Sequence, residues 1–280
     1  MSELKIDSHQ HFWKYHPNIH EWMDSSMEII KNDFMPADLH PLLQKNNIDG
    51  CVAVQADQSE TETLFLLNLA KENQFIKGVV GWLDLCAEDI DIKLEKYSKY
   101  EALKGLRHIV QDEPDKNFML RPNFKNGISL LGKYNLAYDI LIYQEQLPAA
   151  LELVKTFPEQ AFVLDHMAKP VIDGKVDPVW ASYISELGKH KNVHCKVSGM
   201  VTETKWGTWQ KNDFVPYLDQ VFGSFGPDKI LFGSDWPVCL LSAQYYEVVD
   251  IVENYLVHLP STVRKKVMGL NAIKFYNLTL

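Results

Sequence analysis

The chain is 280 residues long, 46% hydrophobic, and carries a formal net charge of -9, enough apolar material for a sizeable core. With no basic block, that charge argues against nucleic acid or an anionic membrane as the main partner. No apolar run approaches the length of a membrane span.

Lys5 to Asp7 reads as a short first strand and leads into Ser8-His9-Gln10-His11. In an extended chain, side chains at i and i+2 share a face, so His9 and His11 present two imidazoles together just past the strand. Such a pair binds a metal ion or polarises a carbonyl oxygen; taken alone, it is more often a packing or surface pair. An aromatic loop with Phe12, Trp13, Tyr15 and Trp22 follows, and Pro36 then opens a helix. Gly50 to Ala56 reads as a buried strand. Ser59 caps the next helix, with Glu62 placed to complete a capping box. Ile76 to Leu83 is a third strand, Ile90 to Tyr97 a helix, and Leu103 to Ile109 a fourth strand.

The second half repeats the rhythm. Phe118 to Leu131 reads as helical, with Pro122 restricting its first turn. Strands over 137–141, 161–165, 193–197 and 229–233 alternate with helices over 146–157, 178–189, 214–222 and 243–256. Pro260 to Tyr276 forms a helical tail. Eight strand–helix alternations in this length predict an α/β fold, a single (β/α)8 TIM barrel over residues 1–280 with a C-terminal helical extension. The rival is a doubly wound open sheet, but no Gly-x-Gly-x-x-Gly follows the first strand. Cys51, Cys86, Cys195 and Cys239 are far apart. Without a signal peptide they read as reduced thiols in a cytoplasmic protein.

In such a barrel, chemistry gathers at the C-terminal ends of the strands. Those ends offer His9 and His11; Gln55 and Asp57; Trp82 and Asp84; Arg107, His108, Gln111 and Glu113; Asp139 and Tyr143; Asp165, His166 and Lys169; Lys196 and Ser198; Ser234 and Asp235. Buried charges cost several kcal/mol each unless paired, so so many converging on one rim imply a use. Asp235, directly after the last strand, is placed to take a proton from water. Each has a plainer alternative: Arg107 as a structural ion-pair partner, Lys169 as a loop former before Pro170, and Lys196 pointing either into the barrel or outward with no role assigned. Trp13, Trp22, Trp206, Trp209 and Trp236 are either core aromatics or rings that stack on a sugar face.

The blocks Asp7-Ser8-His9-Gln10-His11-Phe12-Trp13, Gly105 to Gln111, Leu164 to Pro170, Lys196 to Glu203 and Gly233-Ser234-Asp235 resemble the amidohydrolase superfamily. More narrowly they resemble its lactonase branch of sugar-acid lactonases and 2-pyrone-4,6-dicarboxylate lactonase, and most nearly the L-fucono-1,5-lactonase-like enzymes. The resemblance covers nearly the whole chain. It implies a barrel and a hydrolase that opens a small-molecule lactone, with His9, His11, His166 and Asp235 at the centre. It also implies one divalent cation, such as zinc on those four residues, or none. The fifth strand has no lysine for a bridging carbamate, which puts a two-metal site in doubt. On this reading Asp235 is the general base, His9, His11 and His166 polarise the carbonyl directly or through the ion, and Arg107 and Lys169 stabilise the oxyanion or bind hydroxyl groups. Trp13, His108, Lys169, Tyr143 and Trp236 contact the sugar. The alternatives are a metal-dependent decarboxylase of a small unsaturated or aromatic acid, and a non-catalytic sugar-binding barrel. A homodimer stays open.

Overall fold

A computed structural model describes residues 4–279; the expected domain ends at 1 and 280 lie outside the described residues. Eight strands pair in chain order, every ladder parallel: β1 (Ile6–Gln10), β2 (Gly50–Val54), β3 (Ile76–Gly81), β4 (Leu103–Ile109), β5 (Ala137–Leu141), β6 (Phe162–Leu164), β7 (Val193–Val197) and β8 (Ile230–Phe232). The ring closes just past β8. There Gln10 and Trp236 form a parallel bridge, His11 N–H donates to the Trp236 carbonyl (2.7 Å) and Asp235 N–H to that of His9 (2.8 Å). This is the expected TIM barrel.

Helices α1 (Pro36–Lys45), α2 (Glu60–Glu72), α3 (Ile90–Tyr97), α4 (Pro122–Leu131), α5 (Leu147–Thr156), α6 (Pro178–Gly188), α7 (Val215–Phe225) and α8 (Tyr245–Leu256) wrap the strands. Prolines at the first or second helical position start five of them, in α1, α4, α5, α6 and α7, where a missing N–H costs nothing. Two local expectations shift. The helix expected from Phe118 is split into a 3₁₀ turn and α4, because Arg121, the residue before Pro122, sits at ψ 138°. Ser59 does cap α2 through Glu62 N–H (3.1 Å), but the Glu62 carboxylate does not close the box on Ser59 N–H; it accepts instead from Ala56 N–H in the β2–α2 loop.

The outer core lies between strands and helices, with Leu66, Phe124, Trp180 and Tyr217 among its fully buried members. A smaller inner core fills the end of the barrel where the strands begin. Ile6, Val52, Val54, Val80, Ala137, Val163 and Leu231 meet Ala272, Tyr276 and Leu278 there. Those last three come from the tail, which runs through α9 (Ser261–Lys265), a π turn (Lys266–Leu270) and α10 (Asn271–Phe275). The tail therefore plugs one end of the barrel and leaves the other for a cavity. Among the described residues, no helix is long and apolar enough to cross a membrane.

Candidate active site

Strand β1 does not alternate strictly. Its register with β2 shifts between Asp7 and Gln10, so Ile6 and His9, three apart, both face the barrel interior while Asp7 faces out. Asp7 accepts from Ser234 N–H (2.9 Å), His9 N–H (3.2 Å) and the Tyr245 hydroxyl (3.0 Å). Burial pushes its carboxyl up to about 6. That buried acid ties together the backbones that carry His9 and Asp235.

His9, His11 and His166 surround Asp235. Their Nε2 atoms lie 3.8, 3.3 and 4.0 Å from its Oδ1. Glycines make this crowding feasible: a Cβ at Gly233 would sit 2.6 Å from His9 Cβ, and one at Gly199, whose φ is +62°, would sit 2.5 Å from His166 Nδ1. His166 lies in a left-handed turn that runs through Lys169, and Asp235 itself has φ 58°. Sparse backbone regions of this kind cost about 1–3 kcal/mol each and persist where the surroundings fix them. Here Ser198 Oγ bonds His166 Nδ1 (2.9 Å) and Trp180 Nε1–H donates to the Met167 carbonyl (2.7 Å).

Burial keeps the His166 imidazole neutral, lowering it to about 4, and drives His9 well below its ordinary value. Burial alone would raise the Asp235 carboxyl, but the imidazoles of His166, His11 and His9 outweigh it and hold the acid below the usual carboxylate range. The centre is thus an ionised carboxylate ringed by imidazoles. His11 Nδ1 lies 2.8 Å from the Val54 carbonyl, an acceptor only, so it carries the proton. Its other ring nitrogen, Nε2, faces the Asp235 carboxylate 3.3 Å away. Three imidazoles gathered around one carboxylate are a donor set zinc takes. His9–His11–Asp235 and His9–Asp165–His166 each bring three ligand atoms within 4.8 Å of one another.

Arg107 reaches the same centre from β4. Its guanidinium lies 3.2 Å from His9 Nε2 and 3.1 Å from Asp165 Oδ2, and also donates to the Gln55 carbonyl. Above this floor opens a cavity of about 610 Å³. His11, Arg107, His166 and Asp235 form its base; Trp13, Trp22, Trp206, Tyr143 and Lys169 stand in its walls. The Lys169 ammonium lies 5.3 Å from the Tyr143 ring centroid.

Of the residues expected to hold metal, catalyse or touch the sugar, all but two meet here; of the other rim candidates, Trp82, Asp84, Glu113 and Trp209 are absent from the cavity wall. His108 neighbours Arg107 on β4 and so faces the helices. It bonds Glu113 (2.7 Å) and stacks on Phe118, which corrects the expected sugar contact. Trp236 is buried against Phe12 and Phe34 and is absent from the cavity wall, a second correction. Lys196 does not reach outward: it is fully buried inside the barrel. Glu203 also lines the cavity, and burial raises its carboxyl. Its signal was present in the Lys196 to Glu203 block, but spacing alone did not single it out.

Known proteins resemble the chain over nearly its whole length. A family model described as Amidohydrolase matches residues 6–278. A Burkholderia multivorans protein named L-fucono-1,5-lactonase is 35% identical over 99% of this chain and 97% of its own. A Burkholderia ambifaria protein of the same name is 32% identical over 98% and 96%. A crystal structure of an amidohydrolase from Burkholderia multivorans with bound zinc is 36% identical, has a TM-score of 0.93, and aligns over 99% of this chain and 100% of that one.

Proposed function

The chain belongs to the amidohydrolase family, and from that premise we propose that it is a hydrolase that opens a sugar-acid lactone, L-fucono-1,5-lactone or a related aldonolactone. The observation that carries this reading is the ionised Asp235 among neutral imidazoles at the base of a walled cavity. The full-length Burkholderia relatives support the substrate class. So does the charge of the lining, in which Asp112, Glu203 and Asp235 face only Arg107 and Lys169. Such a wall disfavours a dicarboxylate ring and suits an uncharged, hydroxylated one.

The lactone carbonyl oxygen docks toward Arg107 and His166, which stabilise the charge that develops on it. Asp235 takes a proton from water as the water oxygen bonds the carbonyl carbon. When the tetrahedral intermediate collapses, the ring C–O bond breaks and Asp235 returns the proton to the departing ring oxygen. Lys169, Tyr143 and the tryptophans Trp13 and Trp206 hold the hydroxylated face of the ring. A divalent cation such as zinc, held by His9, His11, His166 and Asp235, would supply Lewis-acid polarisation of the carbonyl.

The test is a pH-indicator screen of L-fucono-, L-rhamnono-, L-galactono- and D-xylono-lactones beside small unsaturated and aromatic acids. Acid release from one or more lactones is the expected outcome. Carbon dioxide from an acid, or tight binding of an intact lactone, would replace this reading with decarboxylation or simple sugar binding. Elemental analysis of protein purified without chelator, with rates before and after chelation, decides the zinc question.

A further inference from the structure

The cavity wall carries a carboxylate to which the proposed chemistry gives no role. Glu203 ends a 3₁₀ turn (Val201–Glu203) that follows β7. Its backbone is fixed on both sides: its N–H donates to the Met200 carbonyl (3.2 Å), and its own carbonyl accepts from Ile172 N–H (2.9 Å) in the loop beyond the His166 turn. The neighbouring residues are tied down as well. Thr202 Oγ1–H donates to the Gly199 carbonyl (2.8 Å), Thr204 Oγ1–H to that of Val201 (2.7 Å) and Trp206 Nε1–H to that of Thr202 (3.0 Å). The Glu203 side chain contrasts with this. Among the described residues it makes no hydrogen bond or ion pair, and it stands in the wall with Lys169, Tyr143 and Trp206.

A carboxylate withdrawn from water is costly unless it finds partners. Burial raises the Glu203 carboxyl, and the Lys169 ammonium opposes that rise. Yet Lys169 is no direct partner: its ammonium lies over the Tyr143 ring, 5.3 Å from the centroid. An ionised carboxylate only accepts hydrogen bonds, so the ligand that completes it must bring donors. Ring hydroxyls do; a second carboxylate brings none and is repelled. The charges of the lining point the same way. Asp235 and Arg107 serve the carbonyl end, and Asp112 is exposed. Glu203 is then the charge that offsets Lys169 inside the wall. Without it, the ammonium would stand ready for an anion.

We propose that Glu203 sets the substrate class of this cavity: its carboxylate accepts from the ring hydroxyls of a neutral aldonolactone and, by offsetting Lys169, turns away lactones that carry a carboxylate of their own. This rests on the lactonase reading and narrows it to lactones of sugar monoacids over those of sugar diacids.

The test compares two ligands that share a ring: L-galactono-lactone, and a galactaro-lactone with a carboxylate in place of the terminal hydroxymethyl group. For each, kcat and KM are measured in the wild type, Glu203→Gln and Glu203→Asp, with a melting curve for every protein. The wild type is expected to prefer the neutral lactone. Glu203→Gln is expected to lose about tenfold in kcat/KM on that lactone, the scale of a hydrogen bond to a charged group, with most of the loss in KM. On the acidic lactone it is expected to gain about threefold, the scale of a partly exposed charge pair. Glu203→Asp keeps the charge but withdraws it by one methylene, so it is expected to lose rate on the neutral lactone and still reject the acidic one. A site that is merely damaged slows both ligands and cannot shift them in opposite directions. Equal losses on the two lactones in Glu203→Gln, a wild-type preference for the acidic one, or admission of the acidic one by Glu203→Asp would each overturn the proposal. If the wild type opens no lactone, the function reading fails. The two lactones then stay intact, and quenching of the cavity tryptophans reports their binding; a preference for the neutral ligand that Glu203→Gln narrows still supports the role of Glu203, and its absence overturns it.

Discussion

The two ends of the barrel treat the same backbone conformation differently. At the plugged end and in the helix-to-strand turns, the left-handed positions are held by Asn47, Asn135 and Asn277, with φ of 54°, 56° and 47°. Asparagine tolerates that region because its short amide bonds locally. At the cavity end the left-handed residues are His166, Met167, Ala168, Lys169 and Asp235, with φ from 49° to 59°. Met167, Ala168 and Lys169 are not types that turns favour. Turns at one end are thus filled for folding, and turns at the other for what their side chains do. Strain is tolerated where surrounding bonds over-determine the backbone.

The largest expected effect lies at the strained end. Asp235→Asn keeps the shape of the turn and removes the proposed base, so kcat should fall by about 10²–10⁴-fold with an unchanged melting curve; near-normal turnover would put the base elsewhere. Lys196→Met leaves Asp139 and Asp165 buried without their shared cation. It should lower unfolding free energy by roughly 3–5 kcal/mol, read from a denaturant titration. Gly199→Ala forces a methyl group into left-handed backbone and against His166. A loss of about 1–2 kcal/mol together with lost activity is expected, whereas lost stability alone would mean the His166 ring can give way harmlessly. Asn135→Ala, the matching change in a structural turn, should cost at most about 1 kcal/mol and leave kcat untouched.

The smallest effect concerns acid. Burial lowers His194, on β7 and packed against Phe275, from 6.5 to about 4. The unfolded chain then takes a proton on His194 below pH 6.5 that the folded one refuses until about pH 4, so stability falls as pH drops through that window. His166 acts in the same direction. Replacing His194 with Gln should make the decline in denaturation midpoint between these two pH values shallower without altering the lactone rate. An unchanged slope would mean that the mouth histidines carry all of it.

The sequence by itself determined the barrel, because eight apolar runs alternating with amphipathic ones leave few other ways to bury both faces of a parallel sheet. It also pointed to one cluster, because His9, His11, His166 and Asp235 fall at strand ends, and the barrel brings these four side chains together. Which face each rim residue takes was not legible. Parallel strands are apolar on both sides, so alternation leaves no mark to separate Arg107, which turns inward, from His108, which turns outward. Nor does spacing reveal the register shift in β1 that turns His9 to the interior. The contact between Tyr276 and Asp139 joins residues 137 positions apart. Only the closed ring, plugged by its own tail, decides that these two meet, since no local pattern encodes a contact made by packing at that separation.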